Sequence, residues 1–219
     1  MKKSDIHRIY ELLEEAYRSM EEPSVTKISK QTKRDPFRVL VSCLISLRTK
    51  DEVTLASSEK LFAVADTPQK TLELTEEEIG KLIYPAGFYK TKAKTIKNIC
   101  EILIEKYDGK VPHEIDELVT LKGVGRKTAN LVVVEGYGRP AVCVDTHVHR
   151  IFNRLGYVKT KTPDKTEIEL RKHLPEKYWI RINEILVAYG RSICRPVSPI
   201  CSSCGLYELC DKVGVTTRR

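Results

Sequence analysis

The chain has 219 residues, 41% of them hydrophobic, with 38 Lys and Arg against 30 Asp and Glu, giving a formal charge of +8. That length supports a buried core in one domain or two small ones, and no apolar run approaches the roughly 18 residues of a membrane span. The positive charge points to a polyanionic partner, with nucleic acid the first candidate.

The residues opening the chain, Met1-Lys2-Lys3-Ser4-Asp5, lead straight into an amphipathic pattern and carry no signal-peptide character. Ser4 is the expected cap of a first helix with Ile6, Ile9, Leu12, Leu13, Ala16, Tyr17 and Met20 at helical spacing. Pro36 opens a second helix, with Phe37, Leu40, Val41, Leu44 and Ile45 on one face. Residues 51–62 and 75–84 read as short helices. Residues 91–107 read as a stronger one, stopped at Asp108-Gly109. Lys90, Lys94 and Lys97 fall on a face of that helix suited to solvent or phosphate. With Lys92 they make a basic run, as do Lys27, Lys30, Lys33, Arg34, Arg38, Arg48 and Lys50 earlier in the chain. Residues 112–119 form a short helical segment. In residues 130–148 the run Leu131–Val134 has strand propensity, but it follows Lys127-Thr128-Ala129 in helical register, and helix is the reading. Thr162-Pro163 opens a helix through His173, and residues 178–190 complete the pattern. The fold class expected is all-α. Alternating strands and glycine-rich phosphate loops are absent, which disfavours an α/β nucleotide-binding fold.

Two constellations carry chemistry. Cys194, Cys201, Cys204 and Cys210 are spaced C-x6-C-x2-C-x5-C within 17 residues. Four thiolates suit a [4Fe–4S] cluster or a structural zinc; disulfides are the alternative, disfavoured without secretion. Only Cys201 and Cys204 form the knuckle that zinc sites use in pairs, which leans towards a cluster. Cys43, Cys100 and Cys143 lie singly in apolar stretches and read as small buried hydrophobes.

The second is Leu121-Lys122-Gly123-Val124-Gly125-Arg126-Lys127-Thr128-Ala129. Gly123 and Gly125, bracketing Val124, allow a tight turn with positive φ. The amides opening the next helix can then hold a phosphate. An ordinary inter-helix turn uses glycine as freely. Packing does not require Lys127 just after the turn, and its neighbours Lys122 and Arg126 disfavour its charged form, which suits a nucleophile. Asp145 follows eighteen residues on, in Val144-Asp145-Thr146-His147. It reads as a helix cap, a site carboxylate, or both. His147 and His149 are two apart and share no helix face; His147 is the better functional candidate.

These residues together resemble the endonuclease III family of DNA repair glycosylases. The resemblance rests on 121–129, on Val144-Asp145-Thr146-His147, on the lysine-to-aspartate interval and on the four cysteines, and nearly the whole chain aligns in order. It implies two helical domains flanking a DNA-binding cleft: a six-helix domain with a helix–hairpin–helix over 29–139, and an iron–sulfur domain from 1–28 and 140–219. It implies a [4Fe–4S] cluster on Cys194, Cys201, Cys204 and Cys210, and a catalytic pair of Lys127 and Asp145. DNA contacts are implied at Gly123, Val124, Gly125, Arg126, Arg48, Phe88, His147 and Arg191. The implied activity is removal of oxidised or ring-saturated pyrimidines from double-stranded DNA, with strand cleavage at the abasic site through a lysine Schiff base. A cytoplasmic monomer is expected. A thymine or uracil mismatch glycosylase and a non-catalytic hairpin module with a structural metal are the alternatives. Two positions depart from the family pattern. Arg48 stands where glutamine is usual, and arginine favours guanine's edge. Phe88 stands where leucine often acts as a wedge; it can insert instead or simply pack in the core.

Overall fold

The computed structural model describes residues 5–219, and every regular element among them is a helix. The expected cap at Ser4 lies outside the described residues. The first helix, α1 (Ile6–Tyr17), buries Ile6, Ile9, Tyr10, Leu13 and Tyr17, one stripe of its surface. The chain divides into two units, one of residues 24–141 and one of the first 23 residues with 142–219.

The 24–141 unit holds eight helices: α2 (Ser24–Gln31), α3 (Pro36–Ser46), α4 (Asp51–Val64), α5 (Pro68–Glu73), α6 (Glu76–Ile83), α7 (Tyr89–Tyr107), α8 (Ile115–Leu118) and α9 (Arg126–Tyr137). Local signals start and stop them. Asp35 accepts from Arg38 N and Pro36 occupies the first turn of α3. Thr75 and Glu78 make a reciprocal capping box on α6. Asp108 and Gly109, at φ 53° and 73°, end α7. At the centre is α3, with Val39, Leu40, Cys43, Leu44 and Ile45 buried against α2, α4, α7 and α9. Residues 24–28 belong with this unit because α2 is tied to α9: Thr26 Oγ1 donates to Glu135 Oε1 at 2.9 Å and Ser29 Oγ to Glu135 O at 2.7 Å.

Residues 130–148 are not one helix. α9 ends at Tyr137, Gly138 caps it at φ 62°, and the chain runs without regular structure to Asp145. Glycine in the left-handed region followed by Pro140 ends the helix.

In the other unit, α10 (Thr146–Leu155), α11 (Pro163–His173) and α12 (Ile182–Ser192) join α1. Ile9, Leu13, Val148, Ile151, Phe152, Leu170, Ile185, Leu186 and Tyr189 share its core. Beyond α12 the backbone forms only short 3₁₀ turns at Cys201–Ser203 and Tyr207–Leu209.

Candidate active site and cysteine centre

In the 24–141 unit, α8 and α9 are joined by a tight turn anchored by buried Leu121 and Val124, with Val124 N–H donating to Leu121 O at 2.9 Å. Positive φ is needed at one glycine, not two: Gly123 has φ 91°, Gly125 φ −90°. A side-chain carbon on Gly123 would lie 2.8 Å from Thr95 Cγ2 in α7, whereas one on Gly125 would meet nothing within 4 Å. The turn is packed at its first glycine and open at its second, where the opening amides of α9, unmatched within the helix, emerge. Arg126 is exposed and Lys127 half-buried in this first turn. Burial pushes the Cys43 thiol in α3 up to about 12, and the charge of Lys127 opposes that rise, so Lys127 lies within electrostatic reach of Cys43.

Arg48 and Phe88, far apart in sequence, are side by side. Phe88 is 63% exposed, which rules out core packing. The Arg48 guanidinium lies 5.6 Å from the Phe88 ring centroid, within cation–π range. Both residues take left-handed backbone, φ 53° and 58°. They share a cavity of about 370 Å³ with Leu44, Leu47, Lys92 and hairpin residue Gly123. The basic run nearby is smaller than its sequence suggests. Lys90 and Lys94 are exposed, but Lys97 Nζ donates to Leu74 O at 2.7 Å and Lys92 is buried.

In the other unit, Asp145 caps α10: its Oδ1 accepts from His147 N and Val148 N, both at 2.9 Å. The capping bonds fall on one oxygen, leaving Oδ2 outside the pair. His147 is half-buried, and Arg150 Nη2 lies 3.1 Å from its Nδ1. Burial pushes its imidazole below the ordinary range. The Arg150 and Arg191 charges add to that, and Asp145 opposes it. A side-chain carbon on Gly190 of α12 would lie 2.4 Å from His147 Nδ1, so only glycine admits the ring there. Arg191 is exposed at the end of α12.

Cys194, Cys201, Cys204 and Cys210 line one cavity, and none is bridged. Polar groups reach three of the sulfurs, as donors at Cys194 and Cys210, and Cys210 Sγ also lies 3.4 Å from Arg154 O. Arg154 Nη1 donates to Cys194 Sγ at 3.4 Å, Lys212 N to Cys210 Sγ at 3.4 Å, and Tyr189 Oη lies 3.1 Å from Cys204 Sγ. Donors aimed at sulfur suit thiolates bearing metal-compensated charge. Among the described residues, no three His, Cys, Asp or Glu side chains close around a single ion. Cys43, Cys100 and Cys143 are fully buried in the cores.

Residues 41–176 match the HhH-GPD superfamily of base excision DNA repair proteins. The Thermotoga maritima endonuclease III is 51% identical over 177 residues, covering 81% of this chain and 83% of that protein. The chain belongs to the endonuclease III family. A non-covalent endonuclease III–DNA complex superposes with a TM-score of 0.85 at 33% identity, covering 97% of this chain and 96% of the other. A trapped endonuclease III–DNA covalent intermediate superposes equally well, covering 97% of each chain.

Three residues near this family's motifs escaped the sequence. Lys92 looks like surface charge until the fold buries it. Arg150 and Arg154, one turn apart on α10, hold the start of the cysteine segment: Arg150 donates to Gly190 O and Cys194 O, and Arg154 to Arg195 O and Pro196 O. Their only sequence signal is the i,i+4 spacing beside Val144-Asp145-Thr146-His147.

Proposed function

We propose that this chain is a bifunctional DNA glycosylase and abasic-site lyase that removes oxidised or ring-saturated pyrimidines from duplex DNA. The observation that carries the reading is Lys127 in the opening turn of α9, directly after a glycine hairpin left open at Gly125, in a member of the endonuclease III family. The 24–141 unit is read as the hairpin domain. The other unit is read as the domain of a [4Fe–4S] cluster on Cys194, Cys201, Cys204 and Cys210. When bound, that group cross-links a segment of 3₁₀ turns that lacks a core of its own.

The damaged nucleotide leaves the stack because C1′ is inaccessible within it. Neutral Lys127 Nζ bonds to C1′ as the glycosidic C1′–N bond breaks, and the base departs with the bonding pair and gains a proton. The Asp145 carboxylate stabilises positive charge developing on the sugar. Nζ then sheds one of its two protons, the C1′–O4′ bond opens with O4′ taking up a proton, and a protonated imine forms. Loss of a C2′ proton expels the 3′ phosphate and cuts the strand. Gly123, Val124, Gly125 and Arg126 hold the DNA backbone, with Arg191 and His147 contributing from the other unit. The chain acts as a monomer where the cell's DNA lies, which in a prokaryote is the cytoplasm.

Borohydride trapping on duplexes carrying thymine glycol or an abasic site tests this. Wild type is expected to trap on both, and Lys127→Gln on neither. Trapping on the abasic duplex alone would move the base specificity elsewhere, and full trapping by Lys127→Gln would remove Lys127 as nucleophile.

A further inference from the structure

We infer that Lys92 is a positioning residue whose buried ammonium laces the loop after α3 to the start of α7, holding Arg48 and Phe88 as one coupled probe of the DNA step at the lesion. This rests on the glycosylase reading above.

Lys92 is 8% exposed. A buried ammonium is costly unless its donors are met. Here Nζ donates to Ile45 O at 2.6 Å, Leu47 O at 2.6 Å and Thr49 Oγ1 at 2.8 Å. The two carbonyls lie at the C-terminal end of α3, where helix carbonyls run out of partners and a cation is favoured. Lys92 therefore caps α3 from the side while belonging to α7. Its own backbone N–H donates to Phe88 O at 3.0 Å, so one residue grips the carbonyl of Phe88 and the carbonyl just before Arg48.

The lacing is doubled at Thr49. Its Oγ1 also receives Gly87 N–H at 3.1 Å. The two loops approach so closely that a side-chain carbon on Gly87 would lie 2.6 Å from Arg48 O. Arg48 and Phe88 emerge from this knot in left-handed backbone, a conformation that costs energy outside glycine and persists only when its surroundings fix it. Without the ammonium, Ile45 O loses this donor and Leu47 O keeps only the longer bond from Thr49 Oγ1 at 3.3 Å, and the 46–49 loop is free to relax away from Phe88. Burial pushes the Lys92 amine down to about 8, so it stays largely protonated at neutral pH with all three donors in use.

A residue that merely supported the fold would weaken every property of the protein alike. A residue that positions the pair should act through it. The test uses the full chain with iron loaded, comparing wild type, Lys92→Met, Thr49→Val, Arg48→Ala/Phe88→Ala, and Lys92→Met in that double-alanine background. Two measurements are made: single-turnover excision of thymine glycol, and fluorescence of 2-aminopurine placed opposite an uncleavable abasic analogue at saturating protein. Lys92→Met is expected to slow excision about tenfold and to suppress the 2-aminopurine rise that reports unstacking of the estranged base. Thr49→Val, the gentler cut, is expected to move both readouts the same way by a smaller factor. In the double-alanine background, Lys92→Met should change either readout less than about twofold, the non-additivity of residues acting as one unit. Equal Lys92→Met effects in both backgrounds would overturn the inference, as would unchanged fluorescence in both Lys92→Met and Thr49→Val. Wild type that raises the fluorescence but excises nothing would defeat the glycosylase reading while leaving the positioning role standing.

Discussion

The cap that Asp145 forms and the catalytic charge proposed for it separate cleanly by substitution. Its Oδ1 accepts both capping amides of α10, a role an asparagine oxygen fills as well; in the proposed mechanism its charge is what the sugar cation needs. Asp145→Asn should therefore keep the melting temperature close to wild type while slowing base release by two orders of magnitude or so. Asp145→Ala should lose stability as well, by about 1 kcal/mol. Equal catalytic and binding losses in Asp145→Asn would reduce the residue to a cap. The neighbouring His147 makes a prediction about pH. Burial holds its folded-state pKa below the usual 6.5, so the unfolded chain binds the proton more readily. Unfolding free energy then falls as pH drops from about 6.5 through the lowered value. Urea midpoints above and below that window should converge in His147→Gln. His149 is pushed down by burial too and keeps part of the slope. An unchanged slope in His147→Gln would deny His147 its share.

Among the elements, the hairpin shows how two glycines in one motif differ. Gly123 is fixed by φ 91° and by Thr95. Gly123→Ala should destabilise the protein by roughly 1–3 kcal/mol through backbone strain and the clash. Gly125→Ala has ordinary backbone and open space; its stability should change by under about 0.5 kcal/mol. Its DNA affinity should still fall if, as proposed, the hairpin holds a phosphate, because the added methyl enters the open space beside the first amides of α9. Thermal melts beside duplex binding decide the matter, and a large stability loss in Gly125→Ala would contradict it. Sequence showed this hairpin and most helices because caps and prolines are local signals: Asp35-Pro36, Thr75 with Glu78, Thr162-Pro163. It did not show α2, whose polar residues become helical through Thr26 and Ser29 bonding to Glu135, more than a hundred positions away. α10 was blurred into α9 by the valines between them. Val148, Ile151, Phe152 and Leu155 are in helical spacing, and Gly138 with Pro140 is the local stop that separates the two helices.

At the scale of the whole molecule, the proposed catalytic residues and the cysteines stand out because motifs place rare residue types at fixed intervals. Lys92, Arg150 and Arg154 do not, because a lysine or arginine reads as surface charge until the fold decides what covers it. Phe88 was ambiguous for the converse reason: hydrophobicity suggests burial, and only the left-handed turn at its position turns it outward. Past α12 the described residues hold no α-helix, and the four cysteines share one cavity there. If these cysteines hold the proposed cluster, stripping its iron should expose residues 193–219 to protease first, with the 24–141 unit still resistant. Identical cleavage patterns before and after chelation would show that the segment holds itself together.

The chain's threading also sets an order of events during synthesis. α1 is made before the 24–141 unit, yet its Ile9 and Leu13 pack in a core whose members outside α1 begin at Val142. While the ribosome adds residues 24–141, that unit can complete its own core, and α1 waits with its apolar stripe uncovered until α12 follows. The last cysteine comes later still, at position 210. A cluster on all four thiols, as proposed, is therefore open only to a nascent chain that has passed α12, and products terminated before α10 are left with a bare α1 and none of the four thiols, marks a quality-control protease can recognise.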